Sequence, residues 1–201
     1  MSKSQDTRQK IVREAATLFN RQGFAGASMS DIMRVTGLQK GGIYNHFNSK
    51  EELALEAFEY LIQEITQHYL AAIRSQRHAV DRLLAMLSIY RHFIDNPIVE
   101  GGCPILNTAV ESDDTHPILR ERTRQAMNGW RALIGRVLHK GIERGEVRAA
   151  IDTDEIATIL IATIEGAVMM SKLYGDSLYL ERAVDHLGTY LQGIRLAGDK
   201  R

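Results

Sequence analysis

Residues 37–53, GLQKGGIYNHFNSKEEL, place two adjacent glycines in a segment whose other residues favour a short helix. Each glycine in a helix interior costs about 1 kcal/mol relative to alanine. A helix weakened in this way is expected where the backbone of Gly41 and Gly42 has to come close to something else. Several hydrogen-bond donors surround the pair in the sequence: Gln39, Lys40, Tyr44, His46 and Lys50.

The segments on either side of this stretch indicate a helix-turn-helix. Ser28 precedes Asp31 by three residues, which is typical of the capped start of a helix, and Gly37 ends that helix. A second short helix is predicted over about 39–45, and a long helix follows from Ser49. Two short helices joined by a tight turn, between longer helices, are the arrangement that reads DNA. A glycine-rich connector with ordinary polar surface residues is the structural alternative.

The chemistry of the second short helix fits the major groove of DNA. Bare backbone at Gly41 and Gly42 allows close approach to the bases, and Gln39 and Lys40 suit adenine and guanine edges. Ile43 is expected to point into the core together with Phe47. Donors that suit phosphates follow at Tyr44, His46 and Lys50.

The charge distribution supports a polyanion-binding segment at the N-terminal side. The 201 residues carry no net charge, but the first 50 contain eight basic and three acidic residues, a net charge of +5. The remaining residues therefore carry a net charge of −5. A basic segment joined to an acidic remainder is typical of a nucleic-acid-binding module attached to a different one. Chance fluctuation is the alternative.

The pattern of apolar residues predicts an all-α protein of about nine helices. The three prolines lie close together, so most of the chain is free to be helical. We expect a DNA-binding domain over residues 1–52 and a second domain over residues 53–201. The helices are predicted at roughly 7–22, 28–36, 39–45, 49–74, 80–94, 103–111, 117–144, 153–174 and 178–195, with an irregular connection over 95–102.

Other classes of protein find little support. The N-terminal MSKSQDTRQK has no apolar stretch, and the longest apolar run, near 156–170, is broken by polar residues and too short for a bilayer. A cytoplasmic protein without membrane contact is therefore predicted. No Ser-His-Asp order, metal-ligand cluster or phosphate loop is present, so we expect no enzyme, no catalytic residue, no metal and no cofactor.

The segment 23–53, GFAGASMSDIMRVTGLQKGGIYNHFNSKEEL, resembles the N-terminal DNA-binding domain of the TetR family of one-component transcriptional regulators. The matching features are Gly23-Phe24, Ser28, Asp31-Ile32, Gly37-Leu38, Gly41, Ile43-Tyr44, His46-Phe47 and the 49–53 run SKEEL. The resemblance implies phosphate contacts from Ser28, Tyr44, His46 and Lys50. It implies base-facing positions at Ser30, Gln39, Lys40 and Gly42.

One departure from the family pattern affects sequence readout. Gly42 stands where many relatives have threonine or serine, which removes a possible contact and leaves more of the readout to Gln39 and Lys40.

The resemblance also implies how the rest of the chain works. It implies a homodimer on a double-stranded, pseudopalindromic DNA operator, and a repressor that a small-molecule effector releases. The last two helices are expected to form the dimer interface, although packing on their own chain is the alternative. The apolar residues of those two helices are Ile156, Ile159, Leu160, Thr163, Ala167, Met170, Leu173, Leu180, Val184, Leu187, Leu191 and Ile194.

Candidate ligand-binding residues are Tyr90, Cys103, Asn107, Trp130 and Glu165. A thiol at Cys103, beside a predicted helix start, can have a lowered pKa, because the helix dipole favours the thiolate. That observation leaves a second function open, a redox- or electrophile-sensing repressor; a small buried apolar residue is the alternative. Trp130 fits either an aromatic pocket or the core, and Glu165 lies in an apolar helix where a carboxylate needs a partner.

Overall fold

The computed structural model describes residues 3–196, and within that range the chain is all-α, as predicted. Met1 and Ser2 of the N-terminal decapeptide, and residues 197–201, lie outside the described part. No β-strand occurs between residues 3 and 196. The helices are α1 (Lys3–Gly26), α2 (Met29–Thr36), α3 (Lys40–Tyr44), α4 (Lys50–Arg74), α5 (Ala79–Ser88), a 3₁₀ helix (Ile89–His92), α6 (Pro104–Ser112), α7 (Pro117–Glu143), α8 (Thr153–Tyr174) and α9 (Leu178–Gln192).

Local signals in the sequence account for several helix ends. Ser28 Oγ accepts the Asp31 N–H at 3.1 Å while the Ser28 N–H donates to the Asp31 carboxylate at 3.0 Å, which confirms the predicted capped start of α2. Gly37 ends α2 with a φ of 70°. Gly23 breaks the helical conformation inside α1 with a φ of 78°. Only glycine adopts such angles readily, so these breaks are encoded by single residues.

The predicted helix over 80–94 is wrong in its second half. Helix α5 ends at Ser88, and Ile89–His92 wind as a 3₁₀ helix. The Phe93 N–H bonds the Tyr90 carbonyl at 3.2 Å, which is the tighter i to i+3 pattern. Tyr90 within this turn is buried, at 5% exposure, so tertiary packing of its ring accompanies the change in winding.

The described residues pack as two compact units. The head unit comprises the described residues up to Ile65 together with Val99–Ala126, and the body unit comprises Thr66–Ile98 together with the described residues from Met127 onward. Helix α4 runs without interruption through residue 52, where we predicted a domain boundary. The boundary at that position stays a prediction.

The head unit has its own core and its own polar ties. Buried side chains of α1, α2 and α3 pack with the start of α4, and they include Ile11, Ile32 and Leu53. Lys10 Nζ donates to the Thr36 carbonyl at 2.9 Å and so satisfies a carbonyl at the end of α2. These contacts hold the helix-turn-helix against α1.

The body unit contradicts most of the predicted dimer face. The predicted residues of α9 are at most 5% exposed, because they pack inside their own chain. On α8, Ile156, Leu160 and Ala167 are buried in the same way, whereas Leu173 is 73% exposed. An amphipathic stripe marks the buried face of a helix but does not say which chain buries it. The buried residues of α9 are Leu180, Val184, Leu187 and Leu191, and Ile194, just beyond the end of the helix, is buried as well.

Helix α8 has the predicted bounds, residues 153–174, but it is more apolar than the sequence analysis allowed. The helix has 22 residues, and an 18-residue window within it has a mean hydropathy of 1.6, so it reaches the length and composition of a membrane-crossing helix. The expectation that its apolar run is too short was therefore wrong. Eight of its residues, from Ile156 to Ser171, are buried within the protein, which is the behaviour of a core helix.

Candidate nucleic-acid interface

Helix α3 presents bare backbone on the surface of the head unit. Gly41 is exposed, and a Cβ added there would meet no atom within 4 Å; one added at Gly42 would lie at an ordinary 3.7 Å from Leu38 Cβ. Neither residue has a positive φ. The chain's own conformation and packing therefore do not require glycine at either position, and the missing side chains leave space for an external partner.

The opposite side of this segment anchors it to the core. Ile43 is 1% exposed and Phe47 is 2% exposed, and both join the apolar cluster of the head unit, as predicted. Arg8 of α1 pairs with Glu56 and lies 4.6 Å from the centroid of the Phe47 ring. The segment around Gly41 is thus fixed by burial on one side and open on the other.

Most of the predicted DNA-contacting residues lie on the open side. Gln39 caps α3 in an extended conformation and uses no side-chain bond to do so. Tyr44 is 42% exposed, and Lys40 Nζ lies 5.7 Å from the centroid of its ring. Ser28, Ser30, Gln39, Lys40, Gly41 and Tyr44 are exposed, and Gly42, His46 and Lys50 are half-buried.

Ser28 has an internal role in addition to its surface position. Its hydroxyl donates to the Asp31 carboxylate at 2.6 Å. This hydrogen bond, the Ser28 N–H and the Arg34 guanidinium lower the pKa of Asp31 to about 2. The Ser28 hydroxyl can therefore donate to a phosphate only if it first gives up its hydrogen bond to Asp31.

Lys50 points inward in this structure. Its ammonium donates to the Phe24 carbonyl and lies 4.4 Å from the centroid of the Phe24 ring. Burial lowers the pKa of Lys50, and the nearby Glu111 carboxylate opposes that shift. Lys50 has to leave Phe24 before it can reach a phosphate, a condition that the sequence did not reveal.

Glu111 is a residue that the sequence analysis missed. Its carboxylate accepts the backbone N–H groups of Phe24 and Ala25, each at 2.8 Å. Positions 24 and 111 lie 87 residues apart, so no local pattern in the sequence points to this contact. Glu111 and Lys50 together bind the backbone N–H and the backbone carbonyl of Phe24 near the end of α1.

The predicted ligand-binding residues fall into two groups. Tyr90 and Trp130 line one cavity in the body unit, together with Tyr69 and aliphatic residues of α5, α7 and α8. Glu165 is 7% exposed and follows Ile164 of the cavity wall, although it does not line the cavity itself.

Cys103 and Asn107 belong to the head unit instead. The Asn107 amide donates to the carbonyls of Asn20 at 3.0 Å and Gly101 at 3.1 Å, so it ties α6 to α1. Cys103 is 3% exposed at the start of α6. The structure does not bring these two residues to the wall that Tyr90 and Trp130 share.

Helix α3 is open to solvent at Gly41 and is packed on the core through Ile43 and Phe47, which is the arrangement of a helix-turn-helix regulator. Comparison with known families agrees. The family model described as "Bacterial regulatory proteins, tetR family" matches residues 11–57. The model described as "Tetracyclin repressor-like, C-terminal domain" matches residues 79–187. The chain belongs to the TetR family of transcriptional regulators.

Similar proteins span nearly the whole chain. A TetR transcriptional regulator from Chloroflexus aurantiacus J-10-FL is 47% identical, with a TM-score of 0.94 over 98% of this chain and 100% of that one. A TetR-family regulator from Cytophaga hutchinsonii is 32% identical, with a TM-score of 0.88 over 98% and 99%. The HTH-type transcriptional regulator LmrA of Bacillus subtilis is 31% identical over 83% of this chain and 86% of its own length. Each of these relatives is named as a transcriptional regulator.

Proposed function

We propose that this protein is a cytoplasmic repressor that binds a pseudopalindromic DNA operator as a homodimer and leaves it when a small molecule binds. The observation that carries the proposal is the exposed backbone at Gly41, where no atom of the protein occupies the place of a side chain. A recognition helix with this gap can bring its backbone close to base edges. Residues 1–52 act as the DNA-binding domain, and residues 53–201 act in ligand binding and dimerisation.

The side chains around the gap supply two kinds of contact. Gln39 and Lys40 stand at the first turn of α3, where a recognition helix reaches base edges. Glutamine pairs well with adenine and lysine with guanine. Ser28, Ser30, Tyr44, His46 and Lys50 supply donors for phosphate oxygens, which position the helix without reading sequence.

A second copy of the chain would cover the exposed apolar end of α8. Met169 is 56% exposed, Leu173 is 73% exposed and Tyr174 is 63% exposed. Apolar surface concentrated in this way marks an interaction site, and most soluble assemblies pair such surfaces by two-fold symmetry. Two heads related by two-fold symmetry match two half-sites of a palindrome.

The cavity in the body unit is the place for the effector. Three aromatic side chains, Tyr69, Tyr90 and Trp130, contribute to its wall. The alternative of a thiol switch has less support, because Cys103 is the only cysteine and is 3% exposed. A reactive cysteine needs access to solvent and an activated thiolate.

Selection of bound genomic fragments, followed by mobility-shift assays on the fragment recovered, tests the DNA-binding part. The matched variants are Gly41→Leu and Gly129→Leu, since an added Cβ meets nothing within 4 Å at either glycine. We expect Gly41→Leu to weaken operator binding at least about tenfold, as the loss of one good base contact would. Gly129→Leu should bind like the wild type. Equal affinity for operator and random duplexes at physiological salt would refute the proposal.

Sedimentation analysis tests the dimer. Leu173→Glu should shift the protein to the monomer, because it places a charge in the proposed apolar contact. Ala132→Glu, at an exposed site on α7, is the control and should remain dimeric. A wild-type protein that sediments as a monomer at micromolar concentration would contradict the proposed assembly.

A further inference from the structure

We infer that the body-unit cavity binds a small, flat and uncharged aromatic molecule. The inference rests on the proposed function in one respect, since it names the chemical class of the effector. The cavity itself is a property of the body unit alone. Its occupancy can therefore be measured without DNA.

The aromatic part of the wall is a continuous surface of three rings. The ring centroids of Tyr69 and Trp130 lie 5.2 Å apart at an interplanar angle of 42°, and those of Tyr69 and Tyr90 lie 6.2 Å apart at 37°. These distances are within the range at which aromatic rings attract one another. A further ring placed against this surface gains the same attraction.

The wall offers no partner for a charged ligand. None of the ten described residues that line the cavity carries a formal charge. The hydroxyl groups of Tyr69 and Tyr90 supply polar atoms to the wall, and they already hydrogen-bond each other. An ionised ligand would lose its hydration without gaining a counter-charge, which is strongly unfavourable. A neutral ligand with at most one hydroxyl or similar polar group avoids that loss.

The small free volume of the cavity favours a thin molecule. Only about 20 Å³ between the lining residues is open to the centre of a water-sized sphere, so a bound ring has to displace some of their side chains. The remaining wall consists of aliphatic and methionine side chains from α5, α7 and α8, among them Leu87, Leu133 and Ile164. A thin ring enters such a narrow space with less displacement of side chains than a bulky one, and overpacking is costly.

Trp130 makes the test direct, because it is the only tryptophan of the chain and it lines the cavity. The full-length protein is titrated with toluene, benzoate and methylcyclohexane while the emission of Trp130 is recorded. Toluene should give a saturable change. Benzoate should bind about a hundredfold more weakly because its charge is buried unpaired. Methylcyclohexane should bind about three- to tenfold more weakly because it lacks the ring–ring attraction.

Two variants on α8 locate the site. Ile164→Phe fills the cavity and should weaken toluene binding about tenfold. Thr158→Phe, at an exposed position on the same helix, should leave it unchanged. If Ile164→Phe does not fold, the methyl resonances of Ile161 and Ile164 in the wild-type protein give the second measurement. They should shift on addition of toluene.

The two proposals fail in different ways. No saturable response to toluene up to its solubility limit, or affinity for benzoate equal to that for toluene, would overturn the ligand class. Operator binding by the same preparation would remain intact in that case. A protein that binds toluene but no genomic fragment would instead refute the proposed function.

Discussion

Glu111 of α6 holds Phe24 at the end of α1 through a hydrogen bond of 2.8 Å from the Phe24 N–H to its carboxylate. The other carboxylate oxygen accepts the Ala25 N–H, also at 2.8 Å. A Cβ at Gly23, where φ is 78°, would lie 2.8 Å from both oxygens. Glycine at position 23 therefore serves two purposes, the turn of the backbone and the room for the carboxylate.

Glu111→Gln is expected to lower the free energy of unfolding by about 1–2 kcal/mol. The amide keeps one acceptor but replaces the other with a donor that opposes a backbone N–H, and hydrogen bonds to a charged acceptor are the stronger ones. Urea denaturation measures the loss. Hydrogen exchange measured by NMR should show faster exchange at the Phe24 and Ala25 amides.

Glu121→Gln is the control for this substitution. Glu121 pairs with Arg124 in an exposed i, i+3 contact, which contributes little to stability. We therefore expect little change in stability from Glu121→Gln. Unchanged exchange at Phe24 and Ala25 in Glu111→Gln would show that Glu111 does not hold the end of α1.

Lys50→Met is expected to reduce the salt dependence of operator binding. If the ammonium exchanges the Phe24 carbonyl for a phosphate, its removal lowers the slope of log K against log salt by about 0.9. Lys10→Met is the matched control, since Lys10 also donates to a backbone carbonyl, that of Thr36. An unchanged slope in Lys50→Met would show that Lys50 stays bonded to Phe24 both in the free protein and on DNA, and that its role is structural.

Gly141→Ala and Gly135→Ala are expected to change stability in opposite directions. A Cβ at Gly141 would lie 2.5 Å from Ala79 Cβ, so α5 and α7 would have to move apart at a cost of about 1–3 kcal/mol. A Cβ at Gly135 would meet nothing within 4 Å, so alanine should stabilise α7 by up to about 1 kcal/mol. Thermal unfolding of both variants checks the prediction, and a stabilised Gly141→Ala would contradict it.

Asp31→Asn is expected to lose stability in a pH-dependent manner. The Ser28 hydroxyl, the Ser28 N–H and Arg34 lower the pKa of Asp31 from 3.8 to about 2, so the ionised form is favoured in the folded state. That stabilisation is fully present above pH 3.8 and disappears as the pH falls through 2. The urea midpoints of the wild type and the variant should differ at pH 6 and converge towards pH 2. A difference as large at pH 2 as at pH 6 would show that ionisation of Asp31 is not its cause.

The helices and the helix-turn-helix could be predicted from the sequence because their signals are short-range. The capped start of α2 joins Ser28 and Asp31, three residues apart, and the cap of α8 joins Asp152 and Glu155. The break at Gly23 depends on that residue's own backbone angles. The assignment of the α9 apolar face to a dimer interface failed, because which surface covers a helix face depends on residues that are distant along the chain. The α9 stripe that includes Leu187 faces its own chain, not a partner.

The sequence by itself determined the helical class, the position of the short helix that contains Gly41 and Gly42, and the residues that surround it. Those features follow from intrinsic backbone preferences and from hydrogen bonds a few residues long. Only the tertiary structure decided where Lys50 points, what Glu111 holds, and that Tyr69, Tyr90 and Trp130 meet in one cavity. These contacts join residues that are distant along the chain, and the packing of whole helices selects among many partners of similar chemistry.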